Sequence, residues 1–97
     1  MSTDLLFAKD VIRSRRRELR ISQEDLARAV GIHSAVHISL IEAGRRSVPP
    51  EKAAIIAEVL GVDKVEFCEL VLFEHYPQLY SVFFGCGRPP VPKVLNS

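Results

Sequence analysis

The sequence predicts an all-α domain on three observations. Apolar residues recur at helical spacing in successive short windows, glycines and prolines punctuate those windows, and no alternating run signals a strand. At 97 residues, 47% of them hydrophobic and none tryptophan, the chain can close only one core.

From Asp4 to Arg20, Leu6, Val11, Ile12 and Leu19 stand among six basic side chains, the pattern of an amphipathic helix that Thr3 or Asp4 can cap. A second helix starts at Ser22, because Ser22 and Asp25 are spaced as a capping box with the shorter acid and Leu26, Ala27 and Val30 share a face. Gly31 ends it, since glycine takes a positive φ without a Cβ clash. A third segment runs from about Ala35 to Ala43, seated by Ile38 and Ile41 and stopped at Gly44. Pro50 opens a fourth helix, with Ala54, Ile55, Ala57, Val59 and Leu60 inside and Glu51, Lys52 and Glu58 outside. Asp63 caps a fifth carrying Val65, Phe67, Leu70, Val71 and Phe73, with Cys68 packed within the pattern. Pro77 begins a short sixth helix, Gln78 to Phe84, which Gly85 ends. The remainder, GCGRPPVPKVLNS, holds three of the six prolines and little to bury, so it reads as a mobile or extended tail.

Charge and motifs exclude several classes of function. Thirteen basic and twelve acidic residues argue against a histone-like binder of polyanions. Their distribution is uneven: residues 1–46 carry nine Lys and Arg against six acids, and residues 47–97 carry four against six. The anion-facing bias is in the first half. No apolar run approaches the roughly 20 residues needed to span a bilayer, and the N-terminus has acids where a secretory signal needs a basic start, so a cytoplasmic protein is expected. Cys68 and Cys86 are too few and too far apart for a zinc knuckle or a disulfide framework and read as reduced thiols. Without a GxSxG, P-loop or HExxH pattern, nothing points to an enzyme or to a cofactor.

Ala27 lies where the second helix must cross the third closely, and Gly31 four residues later permits a sharp turn. A bulky side chain at either position would push the helices apart. Ile38 and Ile41 then seat the next helix and leave the intervening side chains outward. This is the helix-turn-helix layout, whose second helix enters a DNA major groove.

The motifs Arg16, Ser22-Gln23-Glu24-Asp25-Leu26-Ala27, Gly31-Ile32, Ile38-Ser39-Leu40-Ile41-Glu42-Ala43-Gly44-Arg45-Arg46 and Leu60-Gly61-Val62 follow one another in order. Together they resemble the lambda-repressor-like, Cro/C1-type (XRE family) DNA-binding domain of bacterial and phage regulators, over about residues 8–72. The resemblance implies a five-helix DNA-binding domain over residues 1–72, with 73–97 as a C-terminal helix and tail outside it. It implies that Gln23, at the start of the second helix, hydrogen-bonds a DNA phosphate, where a plain surface helix former is the alternative. It also pairs Arg16 with Glu42 as a structural ion pair that orients the recognition helix without touching DNA. Arg13, Arg15, Arg17 and Arg20 are then a solvated face, from which one side chain could reach a phosphate.

Two departures from the family pattern bear on readout. One additional residue stands between Gly31 and Glu42, which lengthens the turn His33-Ser34-Ala35 and leaves two registers open at the start of the recognition helix. Ala43 stands where asparagine is usual. Counted back from Ile38, the groove-facing positions are Ala35, Val36 and Leu40, with Ser39 turned toward the DNA backbone. Apolar side chains meet thymine methyl groups but make no bidentate hydrogen bonds, so more of the readout falls to His33, Ser34, His37 and DNA shape. His33 and His37 are four apart, but the second pair of ligands that a metal needs is missing, so groove-side polar contacts or plain surface histidines are expected. Arg45 and Arg46 follow the third helix, where they can hold phosphate oxygens, complement the helix C-terminus, or both.

The segment from Phe73 to Phe84 is richer in aromatics than a five-helix core requires. It is a candidate subunit interface or else an extra helix packed on its own domain. The resulting expectation is a regulator of transcription that binds double-stranded DNA as a homodimer and represses by occupancy. The rival is an antitoxin or adaptor that uses the helix-turn-helix as scaffold and engages a protein partner through 73–97.

Overall fold

The computed structural model describes residues 7–85 and 87–95, and within them the chain forms six α-helices. The first, α1, spans Ala8–Glu18, and Asp10 Oδ2 accepts the backbone N–H of Phe7 at 2.9 Å just ahead of it. The proposed caps Thr3 and Asp4, with Leu6, lie outside the described residues, as does Cys86. After Leu19 the chain reverses through Arg20, which takes a left-handed backbone at φ 59°. Helix α2 spans Gln23–Val30. The N–H of Asp25 donates to Ser22 Oγ at 2.9 Å and that of Ser22 to Asp25 Oδ2 at 3.4 Å, a reciprocal cap that holds the Asp25 carboxyl below its ordinary range. Gly31 ends α2 at φ 74°, and buried Ile32 pins the turn to the core.

Helix α3 covers Ala35–Glu42 with Ser34 in extended backbone ahead of it. The following loop is anchored by buried Val48 and tightens into a 3₁₀ turn, Pro50–Lys52, before α4 at Ala53–Leu60. The inward stripe of α4 is Ala53, Ile56, Ala57 and Leu60, the i, i+3, i+4, i+7 set. Ala54 and Ile55, expected inside, therefore face outward, because the 3₁₀ turn starts the α-helical register at Ala53. In α5, Lys64–His75, the buried residues are Phe67, Leu70 and Val71, while Val65 in the first turn is exposed. Asp63 Oδ1 caps α5 by accepting the Glu66 N–H at 2.9 Å. Cys68 is partly buried against the core, and burial raises its thiol pKa.

Helix α6 spans Pro77–Phe84. It rests on α5 through Tyr80, which meets Phe73 edge to face at 5.2 Å between ring centroids. Among the described residues, Val82 and Phe83 are the most exposed of its apolar side chains; Leu79 is also exposed, and so is Phe84, whose ring centroid lies 4.9 Å from that of Tyr80.

The tail is extended but, contrary to the expectation of little to bury, it is docked, with Pro89 and Pro92 buried. Val94 forms an isolated antiparallel bridge with Val62; the Asp63 N–H donates to Lys93 O at 2.8 Å and the Leu95 N–H to Gly61 O at 2.7 Å. The Lys93 N–H donates to Glu66 Oε1 at 2.8 Å, and its ammonium lies 3.0 Å from Glu66 Oε2, a pairing that raises the lysine pKa. The attraction is physical. The junction between α4 and α5 has backbone groups that no helix satisfies, and an extended strand supplies partners for them. The guanidinium carbon of Arg88 sits 5.4 Å from the Phe7 ring centroid and 5.5 Å from that of Phe73, tying the tail to the residue ahead of α1 and to the last turn of α5.

Candidate nucleic-acid interface

The interface is built outward from one ion pair. Arg16 Nε donates to Glu42 Oε2 at 2.7 Å and Arg16 Nη2 to Glu42 Oε1 at 3.0 Å, a bidentate contact between α1 and the end of α3. Both side chains are largely buried, at 13% and 6% exposure, which strengthens their attraction but sets a desolvation penalty against it. The Glu42 hydrogen bond, followed by burial acting the other way and by the carboxylate charge, leaves the Arg16 pKa above its ordinary value. Arg16 Nη1 also donates to the Ile21 carbonyl at 3.1 Å, so the same guanidinium fixes the turn into α2.

Gln23 completes the group. Its Nε2 donates to Glu42 Oε1 at 3.2 Å, so the first residue of α2 is braced on the last residue of α3. An amide nitrogen carries two hydrogens, and the side chain remains partly exposed, so a second donor is still available to an anion at the α2 N-terminus.

With Glu42 held inward, the buried face of α3 is Ile38, Ile41 and Glu42. The opposite face carries Val36, Ser39, Leu40 and Ala43 at i, i+3, i+4 and i+7; Val36 is 65% exposed, Ser39 and Ala43 are exposed, and Leu40 is half-buried. Ser39 therefore stands in the outward stripe together with Val36 and Leu40. Ala35 opens the helix half-buried, with Ser34 at its N-cap and His33 exposed in the turn before it. Ser34 makes no side-chain cap, and its carbonyl accepts the His37 N–H at 3.0 Å.

Cations flank the stripe. Arg45 and Arg46 are exposed directly after α3. His33, His37, Arg46 and Lys52 border one open notch of about 440 Å³ beside the start of the recognition helix. Spacing along the chain places Lys52 outside but does not assign it to this surface. Its Nζ would lie 3.1 Å from a Cβ on Gly31, so it reaches across to the C-terminal end of α2, an approach that only the tertiary fold creates. Of the α1 arginines expected on a solvated face, Arg15 departs: its Nε donates to the Leu60 carbonyl at 2.8 Å and it closes the C-terminus of α4. Arg13, Arg17 and Arg20 are exposed.

A short helix with an exposed outer face, a companion helix braced against it and exposed arginines directly after it make the layout of a DNA-binding helix-turn-helix. The family model described as Helix-turn-helix matches residues 12–67, more than half of the chain, and the protein belongs to that family, of the Cro/C1 (XRE) type. Searches of curated proteins and of solved structures return no match. Among the described residues, no helix is long and apolar enough to cross a membrane.

The ion pair yields a stability test. Glu42→Ala strands a buried guanidinium and is expected to cost about 3–5 kcal/mol, whereas replacing both partners, Arg16→Met with Glu42→Leu, restores much of that loss. Urea unfolding of the two variants against the parent measures both. A single variant within about 0.5 kcal/mol of the parent contradicts the assignment of a buried, coupled pair.

Proposed function

We propose that this DNA-binding protein is a sequence-specific, cytoplasmic transcriptional regulator that docks α3 in the major groove and represses by occupying its operator as a homodimer. The observation that carries the reading is the outward stripe of α3, whose Val36 and Ser39 are exposed among the described residues, with Gln23 braced on Glu42 and Arg45 and Arg46 exposed after the helix. An α-helix about 10–12 Å across fits a major groove about 12 Å wide. In this reading Val36 and Leu40 meet thymine methyls, and Ser39 reaches a base edge or the adjoining backbone. Ala35 permits close approach at the helix start, while Ser34, His33 and His37 supply polar contacts. Gln23, Arg45 and Arg46 hold phosphates on either side. Few of these groups make bidentate base contacts, so groove width and flexibility share in the selection of the site.

Replacing Gln23 and Arg45 together by Ala is expected to weaken specific and nonspecific duplexes by similar factors. It also reduces the slope of log affinity against log salt by about 1, the charge that Arg45 brings to the backbone. Equilibrium binding between low and moderate salt measures this, and an unchanged slope removes Arg45 from the phosphate contacts.

The exposed apolar face of α6, with Leu79, Val82 and Phe83, supports pairing with a second copy, since one module makes few contacts and a two-fold pair reads half-sites about 34 Å apart. The same face also suits the adaptor reading, in which a different protein takes it. Sedimentation decides between them: the parent is expected to dimerise at micromolar concentration and Val82→Ser with Phe83→Ser to sediment as a monomer. Because mass action drives association as concentration rises, a parent that stays monomeric at roughly tenfold higher concentration excludes the dimer.

A further inference from the structure

The loop that leaves the recognition helix faces the N-terminal turn of α1 and the C-terminal turn of α5 across an open cavity of about 620 Å³. That volume lies in the range of small-molecule sites. Its walls divide by chemistry. Phe7, just ahead of α1, and Phe73 of α5 supply the apolar wall and share the Arg88 guanidinium at their rings, while Ile41 and Val48 lie buried behind it. Lys9, Arg45 and Arg46 supply the charge. The Lys9 side chain lies along Gly44, with Nζ 3.4 Å and Cδ 3.5 Å from where a Cβ would stand, which brings its ammonium next to the Arg45 backbone.

The acid on this wall is already engaged. Glu74 Oε2 accepts the Ala8 N–H at 2.7 Å, and burial raises its carboxyl pKa, with the Ala8 bond and Arg88 opposing. Neighbouring His75 is shifted down by burial. Lys9, Arg45 and Arg46 outnumber Glu74 around the cavity, and Arg88 and Asp10, which also act on that carboxyl, oppose each other in sign.

We propose that this cavity binds a small aromatic carboxylate, with the ring system against Phe7 and Phe73 and the carboxylate on Arg45 and Lys9. An Arg guanidinium matches a carboxylate in two parallel hydrogen bonds, and Lys9 adds a point charge. Because Arg45 lines this cavity and is also the residue proposed to hold a phosphate, a bound carboxylate competes for the guanidinium that a phosphate would use. Ligand and operator therefore oppose each other, and the opposition is reciprocal. The coupling rests on the DNA-binding role proposed for Arg45; occupation of the cavity does not.

The test uses the full chain and 1-naphthoate. Without DNA, amide chemical shifts are followed as naphthoate is added, and saturable changes are expected around Phe7, Gly44 and Phe73. Lys9→Gln with Arg45→Gln is expected to weaken binding by about tenfold or more, and the uncharged 1-naphthalenemethanol to bind weaker by a similar factor. Absence of saturation, equal binding of the alcohol, changes confined to α6, or indifference to the double substitution each overturns the site. With a bound duplex present, saturating naphthoate is expected to weaken DNA affinity by about tenfold, a factor that falls toward one in Arg45→Gln. Naphthoate that fills the cavity without moving DNA affinity overturns the coupling alone. If the parent binds no duplex at low salt, the regulator reading fails while the DNA-free titration still decides the site.

Discussion

The position of α3 depends on the carboxylate of Glu42 and the two donors that meet it. Helix α3 is apolar on both sides: Ile38 and Ile41 face the core, and Val36 and Leu40 face away from it. Burial of hydrocarbon alone discriminates weakly between two such faces, because turning the helix over exchanges similar areas. Glu42 breaks that near-degeneracy. Only with Glu42 inward do Arg16 from α1 and Gln23 from α2 satisfy it, and any other roll leaves a buried charge unpaired. The pair is better understood as selecting one orientation of α3 than as a source of net stability.

The same economy of backbone and side-chain partners recurs away from the recognition helix. Arg15 takes up a carbonyl at the end of α4, and the tail strand satisfies Gly61 and Asp63 at the α4–α5 junction. These contacts tie α1 and the tail strand to the scaffold, with Arg88 beside Phe7 and Phe73. The scaffold in turn fixes where the loop after α3 runs, and so where Arg45 and Arg46 stand relative to the outward stripe. Charge on this protein is therefore divided by role, with Arg15 and Arg16 turned to structure and Arg45, Arg46 and Lys52 left toward solvent.

Much of the fold is legible in the sequence because local signals are strong there. Ser22 with Asp25, Gly31, Asp63 and Pro77 each act within a turn or two of themselves, and the helices begin or end where they stand. The features that escape such reading depend on distant partners. Ile55 and Ala54 look like core in an unbroken apolar run, but a three-residue 3₁₀ turn sets the register and puts Ile56 inside. The tail carries prolines and few large side chains, so its composition resembles a linker, and the backbone groups it satisfies belong to residues some thirty positions away. At the interface, the Arg16–Glu42 contact follows from family resemblance and not from spacing. Lys52 could not have been placed near Gly31 without the crossing of α2 and α4.

Recognition as proposed requires α3 to present its outer face to base pairs while α2 grips the backbone beside it. Backbone amide shifts of the labelled protein, recorded with a duplex recovered from a random pool and with an unrelated duplex of equal length, test this most directly. Changes at Val36, Ser39 and Leu40 are expected to appear only with the recovered duplex, and changes at Gln23 and Arg45 with both. Shifts confined to α6 and the tail, or an identical pattern with the two duplexes, would contradict it.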